Sequence, residues 1–98
     1  RSYERVIADG TRITGATVHF VRTEMDAGPI IAQAAVPVLA DDDARTLAAR
    51  VLQAEHELYP LALARVARGK VEVVDERVVH HGDGTQPAER ALYSPPRS

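Results

Sequence analysis

The sequence predicts a mixed α/β architecture in which two strands, one long helix and a closing hairpin follow one another. Three observations carry this expectation. Thr17-Val18-His19-Phe20-Val21 and Ile30 to Val38 are runs of β-branched and apolar residues, the composition of strands. Thr46 to Tyr59 is built from Ala, Leu, Arg, Gln and Glu, all strong helix formers. Val71–Val74 and Arg77–His80 flank Asp75-Glu76, the length of a tight hairpin turn.

The elements follow in order. Ser2 to Asp9 reads as a short helix, with Ser2 as its cap and Gly10 where a glycine ends a helix. Gly15 marks the start of the first strand. Alternation sets Ala16, Val18 and Phe20 on one face and Thr17, His19 and Val21 on the other. Thr23 to Pro29 breaks the pattern. Gly28 permits positive φ and Pro29 keeps Gly28 out of the α region, so a tight, fixed loop is expected before a second strand from Ile30. Pro37 cannot donate to a ladder and places that end at an edge or at the strand's finish. Asp41-Asp42-Asp43 opens the long helix, because acids oppose the positive end of the helix dipole. Pro60 should kink or restart that helix, and Gly69 should stop it. From Gly82 onward the chain loses periodicity. Residues 83–98 are expected to form a flexible tail, and 1–82 one part of a single domain.

Composition excludes several classes. The chain has 98 residues, without an internal repeat or a second domain's worth of sequence. It has no Cys, which removes disulfides, thiolate metal sites and Cys nucleophiles. A net charge of −2 and the absence of Trp offer neither a basic footprint nor a stacking platform for nucleic acid. No apolar run approaches the roughly 20 residues that cross a bilayer, and the polar start at Arg1 does not resemble a signal peptide. The single Met is Met25, which leads us to expect that the chain is a piece of a longer polypeptide. Asn is absent altogether, so any chemistry needing an Asn carboxamide must draw it from another segment.

The ionisable residues fall into few patterns. With about 100° between successive helical residues, Leu47, Val51, Ala54 and Leu58 form one apolar stripe. Glu55 leans over its flank, and His56 points the opposite way. Glu55 is then either an edge carboxylate paired with an Arg or a group aimed at a site. Glu24 and Asp26 flank Met25 after a strand, where functional groups gather, and in extended chain they share a side. The alternative for Asp26 is a turn cap. His19 is a mid-strand histidine, more often half-buried than catalytic. His80 and His81 are adjacent on a strand and point to opposite faces, so they make a poor metal pair. The Asp41–Asp43 run lacks EF-hand spacing, and no P-loop or dinucleotide fingerprint is present. We therefore expect no metal.

Gly15-Ala16-Thr17-Val18-His19-Phe20-Val21 followed by Glu24-Met25-Asp26-Ala27-Gly28-Pro29-Ile30-Ile31-Ala32-Gln33 resembles the signature region of the phosphoribosylglycinamide formyltransferase family. Arg50-Val51 and Glu55-His56-Glu57-Leu58-Tyr59-Pro60 resemble that family's second block, at a matching distance. The first block is shared more loosely with formyltetrahydrofolate deformylases; the second favours the glycinamide ribonucleotide enzymes. The resemblance covers roughly residues 1–80.

It implies an α/β, Rossmann-like formyltransferase fold, to whose C-terminal half this chain contributes partly antiparallel strands and the long helix. It implies formyl transfer from 10-formyltetrahydrofolate, as co-substrate, to the amine of glycinamide ribonucleotide in purine biosynthesis, in the cytoplasm. By the same resemblance Asp26 is the catalytic aspartate. Thr23, Glu24, Met25, Asp26, Ala27 and Gly28 form the loop around the pterin, Glu55 contacts the ribonucleotide's amine, and His19 supports the loop from beneath. The family's upstream Asn, His and phosphate-binding loop are not in this chain, so these residues alone should be inactive without the N-terminal half. An isolated half also leaves a sheet edge and a helix face uncovered, which invites association, a homodimer included. Two other functions fit less well: a deformylase with water as acceptor, and a non-catalytic folate-binding or assembly module.

Overall fold

A computed structural model describes residues 2–23, 27–82 and 90–97. The elements are α1 (Tyr3–Ala8), β1 (Ile13–Val21), β2 (Ala27–Pro37), α2 (Ala44–Ala67), β3 (Val71–Val74) and β4 (Arg77–His80). β1 pairs antiparallel with β2, and β3 with β4. Ser2 caps α1 as expected, and Gly10 follows it at φ +73°.

Two strand boundaries differ from expectation. β1 starts at Ile13, so Gly15 lies inside it. A side chain there would run into the Ala34 carbonyl across the ladder. β2 starts at Ala27, so Gly28 and Pro29 belong to a strand and not to the loop. Gly28 does not take positive φ. What it needs is space, because a Cβ would meet the Phe20 carbonyl of β1.

The core forms where α2 crosses the β1–β2 pair. Leu47, Val51, Leu58 and Ala62 of α2 bury against Ala16 and Val18 of β1 and Ile31 and Val36 of β2. Leu47, Val51 and Leu58 belong to the predicted stripe, Ala54 is half-buried at its margin, and Ala62 extends it beyond the predicted residues. Predicted alternation on β1 holds for Ala16 and Val18, which are buried, against Thr17 and Val21, which are exposed, but His19 and Phe20 are both half-buried and do not separate by face. α2 continues through Pro60 as one helix, so the expected restart does not occur. Proline removes one helical hydrogen bond, but Leu58 and Ala62 on either side are both seated in the core and anchor the helix before and after it.

The junction of β2 and α2 is locked by charge. Asp43 caps α2 in a capping box with Thr46. Asp42 is itself the hub of a network. Its carboxylate accepts from Arg50 Nη1 at 2.7 Å and Nη2 at 2.9 Å, from the Leu39 amide at 2.7 Å and from the Thr46 hydroxyl at 2.9 Å. Arg50 Nη1 also donates to the Pro37 carbonyl. The Asp42 side chain is only 2% exposed. The bidentate Arg50 contact, then the Leu39 amide, hold its carboxyl well below the usual carboxylate range. A depressed folded-state value means stability that is fully present above the ordinary aspartate value of 3.8 and is lost as pH falls below it. Asp42→Asn should therefore be less stable than the parent at neutral pH. The gap, read from urea midpoints, should narrow as pH drops below that value; a gap constant with pH would mean the carboxylate's charge is not what matters.

The hairpin β3–β4 turns through Asp75 and Glu76, with φ of 50° and 65°, the two successive positive values of a type I′ turn. Gly69 ends α2 at φ +66°. Of the expected tail, residues 83–89 and 98 lie outside the described residues. Ser94 accepts a hydrogen bond from Arg12 Nε at 3.2 Å. Among the described residues, no helix is long and apolar enough to cross a membrane.

Candidate functional site

The β1–β2 pair is regular over most of its length and irregular at the end that leads to residues 24–26. From Ile13↔Pro37 to Val18↔Ala32 the register is constant. It then slips, to His19↔Ile30 and again to Val21↔Ala27, each time with the extra residue on β2. The first bulge leaves Ile31 without a partner on β1, and the second falls at Gly28-Pro29. Burial records the change of phase: Pro29 and Ile31 face inward beyond the first bulge, whereas Val36 does so before it. Bulges bend a strand and free backbone groups from the ladder, and they concentrate beside sites. Pro29 suits such a place because it has no N–H to leave unpaired.

His19 stands on β1 beside these bulges, half-buried. Its Nδ1–H donates to the Phe20 carbonyl at 2.9 Å. A carbonyl only accepts, so Nδ1 carries a proton. The bond ties the imidazole to the backbone that Gly28 approaches. Of the predicted loop, Thr23 ends the described part of the β1 side, and Ala27 and Gly28 open β2. Glu24, Met25 and Asp26 lie outside the described residues.

Glu55 is half-buried on α2, and His56 beside it is exposed, as the helical rotation predicted. Among the described residues Glu55 forms no hydrogen bond or ion pair, so the alternative of an edge carboxylate paired with an Arg is not seen there. A separate groove of about 440 Å³ runs between β2 and α2, lined by Ala34, Val36, Pro37, Gln53, Leu58 and Leu61 among others. Of the predicted site residues that are described, His19, Thr23, Ala27, Gly28 and Glu55, none lines it. No cluster of three or more His, Cys, Asp or Glu side chains that would hold a metal occurs among the described residues.

Three polar contacts escaped the sequence reading. One is the Asp42–Arg50 pair. The second is an ion pair between Arg22, at the end of β1, and Glu76 in the hairpin turn. The third centres on His80. Arg65 Nε–H donates to His80 Nδ1 at 2.8 Å, and His80 Nε2–H donates to the Ile31 carbonyl at 2.7 Å. Each contact joins residues 8 to 54 positions apart, so local spacing carried no signal for them.

Comparisons with known proteins converge on one group. Residues 1–63 match the family model described as formyl transferase. The trifunctional purine biosynthetic protein adenosine-3 of Gallus gallus is 51% identical over 72 residues, which is 74% of this chain and 7% of that protein. The crystal structure of phosphoribosylglycinamide formyltransferase from Anaplasma phagocytophilum superposes with a TM-score of 0.76 at 45% identity, covering 83% of this chain and 40% of that one. A formyltetrahydrofolate deformylase from Pseudomonas syringae pv. tomato superposes with a TM-score of 0.75 at 30% identity, over 82% of this chain and 27% of that one. The chain thus spans well under half the length of each of these relatives.

Proposed function

The chain belongs to the formyl transferase family, and from that membership we propose that the protein carrying it transfers a formyl group from 10-formyltetrahydrofolate to the amine of glycinamide ribonucleotide. Its paired strands and long helix are part of a Rossmann-like formyltransferase fold. The observation that carries the choice of acceptor is the 45% identity to a phosphoribosylglycinamide formyltransferase, against 30% to a deformylase at nearly equal structural likeness. We place the reaction in purine biosynthesis in the cytoplasm, with the rest of the domain as this chain's obligatory partner.

The proposed chemistry follows from the residue types. The amine nitrogen attacks the formyl carbon, and the carbonyl oxygen becomes an oxyanion. The C–N10 bond then breaks, the amine nitrogen loses a proton and N10 gains one. An Asn carboxamide donor for the oxyanion would have to come from outside this chain, which has no Asn. Asp26 is proposed to hold an upstream His in its charged form and to pass the proton through water. The pterin is proposed to lie against Thr23 to Gly28. The second bulge, at Gly28-Pro29, supports this, since a bulge releases backbone groups from the ladder that are able to pair with a flat heterocycle's edge. His19 is proposed to steady that backbone through its bond to Phe20. Glu55, half-buried and without a partner among the described residues, is proposed to accept from the ribonucleotide's ammonium.

The deciding assay mixes the complete domain with 10-formyltetrahydrofolate and follows tetrahydrofolate by absorbance. Release that depends on the ribonucleotide is expected; release at the same rate without it would establish a deformylase instead. Neither would leave the folate-binding or assembly reading in place. Glu55→Ala should raise the ribonucleotide's KM about tenfold or more, the scale of one charge-assisted hydrogen bond, with the folate's KM little changed. An unaltered ribonucleotide KM would remove Glu55 from the site.

A further inference from the structure

The first bulge on β2 has a consequence for Ile31. Its side chain is in the core, but it has no partner on β1. Its carbonyl is taken up by His80 Nε2–H, from β4. The imidazole is fixed in turn, because Arg65 of α2 donates to its Nδ1 and also to the His81 carbonyl. With Nδ1 accepting and Nε2 donating, His80 is the neutral Nε2–H tautomer, and both ring nitrogens are used. The hairpin's other end reaches β1: Glu76, in the turn, pairs with Arg22. One hairpin therefore holds both strands beside the place where they leave the ladder, at Arg22 on one side and at the Ile31 bulge on the other.

We infer that His80 and Glu76 are positioning residues for folate binding: the β3–β4 hairpin fixes the bulged end of the β1–β2 pair, and with it the backbone of Thr23 and Ala27–Gly28. This rests on the folate reading proposed above. Neither residue touches the reacting atoms in this scheme. Stability alone does not explain the Glu76 contact, since the pair is exposed, at 41% and 71%, and such pairs contribute little to folding. Geometry does: a strand end displaced by an ångström costs far more in binding and rate than in stability.

The test uses the complete domain and measures kcat and both KM values beside the unfolding midpoint. His80→Ala should raise the KM for 10-formyltetrahydrofolate about tenfold and leave that for the ribonucleotide within about twofold. His80→Gln, which carries a donor near the position of Nε2, should recover most of the loss. Glu76→Gln should raise the folate KM about threefold at an unchanged midpoint, and Glu76→Arg combined with Arg22→Glu should restore it. If His80→Ala does not fold, the Glu76 series decides. Equal effects on both substrates, failure of the Gln or charge-reversed variants to restore binding, or folate KM values unmoved throughout would overturn the inference. A parent protein without any folate-dependent activity would instead remove the functional reading beneath it.

Discussion

Asp26→Asn is expected to lower the turnover of the complete enzyme by about 10²–10⁴-fold, the usual contribution of a group engaged in general acid–base catalysis. Asparagine has nearly the same shape as aspartate but no charge and no proton to exchange. It is thus unable to stabilise a protonated imidazole or to relay the proton that moves from the amine to N10. Binding of the two substrates should change much less than turnover, because the interaction is strongest once charge has developed. Folding should be unaffected, since the buried core among the described residues is made by Ala16, Val18, Ile31, Val36 and four positions of α2. Steady-state kinetics with both substrates, alongside a thermal melt, separates these outcomes. Full turnover in Asp26→Asn would refute the role, and a lower midpoint in step with lost activity would make Asp26 a turn cap, the alternative that its residue type suggests.

The fold was legible wherever one residue type had one structural use. Leu47, Val51 and Leu58 recur at helical spacing and are all buried, so both the helix and its inner face could be read directly. Ser2 and Gly10 bracket α1 for the same reason. Asp75-Glu76 between two β-branched runs gave the hairpin, although Asp and Glu at positive φ are less usual than Asn-Gly. The bulge at Ile31 was hidden because Ile30-Ile31-Ala32 is apolar throughout. An alternating strand shows a change of phase as two apolar residues in a row; a uniformly apolar one shows nothing. The start of β2 was misjudged because glycine and proline are turn residues by statistics. Here Gly28 answers to the close Phe20 carbonyl, and Pro29 fits a bulge.

The candidate site was legible in a different way. His19, Asp26 and Glu55 owe their proposed roles to resemblance, while spacing alone left the structural alternative open for each. What sequence could not give was the support around them. The links from Arg65 to His80 to Ile31, and from Arg22 to Glu76, depend on which strand ends meet in space. His80 and His81 were read only as residues pointing to opposite faces, and it is that divergence which lets His80 reach β2 while His81 meets Glu72.

Leu47→Ala should cost about 2–5 kcal/mol, the range for removing a fully enclosed leucine. Leu47 is the most completely buried of the described residues, at 0% exposure, and it belongs to one cluster with the core residues of both strands. Its truncation loses the transfer energy of three carbons and leaves a void that the surroundings fill only in part. Relaxation is restricted here. Leu47 lies in the first turn of α2, where its amide bonds to the Asp43 carbonyl and the adjoining turn is fixed by the capping box and by Asp42–Arg50. The helix start therefore has little freedom to move inward, which puts the cost in the upper half of the range. Domains of about 100 residues have roughly 5–15 kcal/mol in all, so this one change removes a large share. His56→Ala, on the exposed side of the same helix, should stay within about 0.5 kcal/mol. Urea unfolding of both variants in the complete domain gives the contrast. A loss below 1 kcal/mol for Leu47→Ala would mean that the first turn of α2 moves to fill the void. Glu55, two turns further along, would then shift with the helix, and a raised ribonucleotide KM in Leu47→Ala would report that movement.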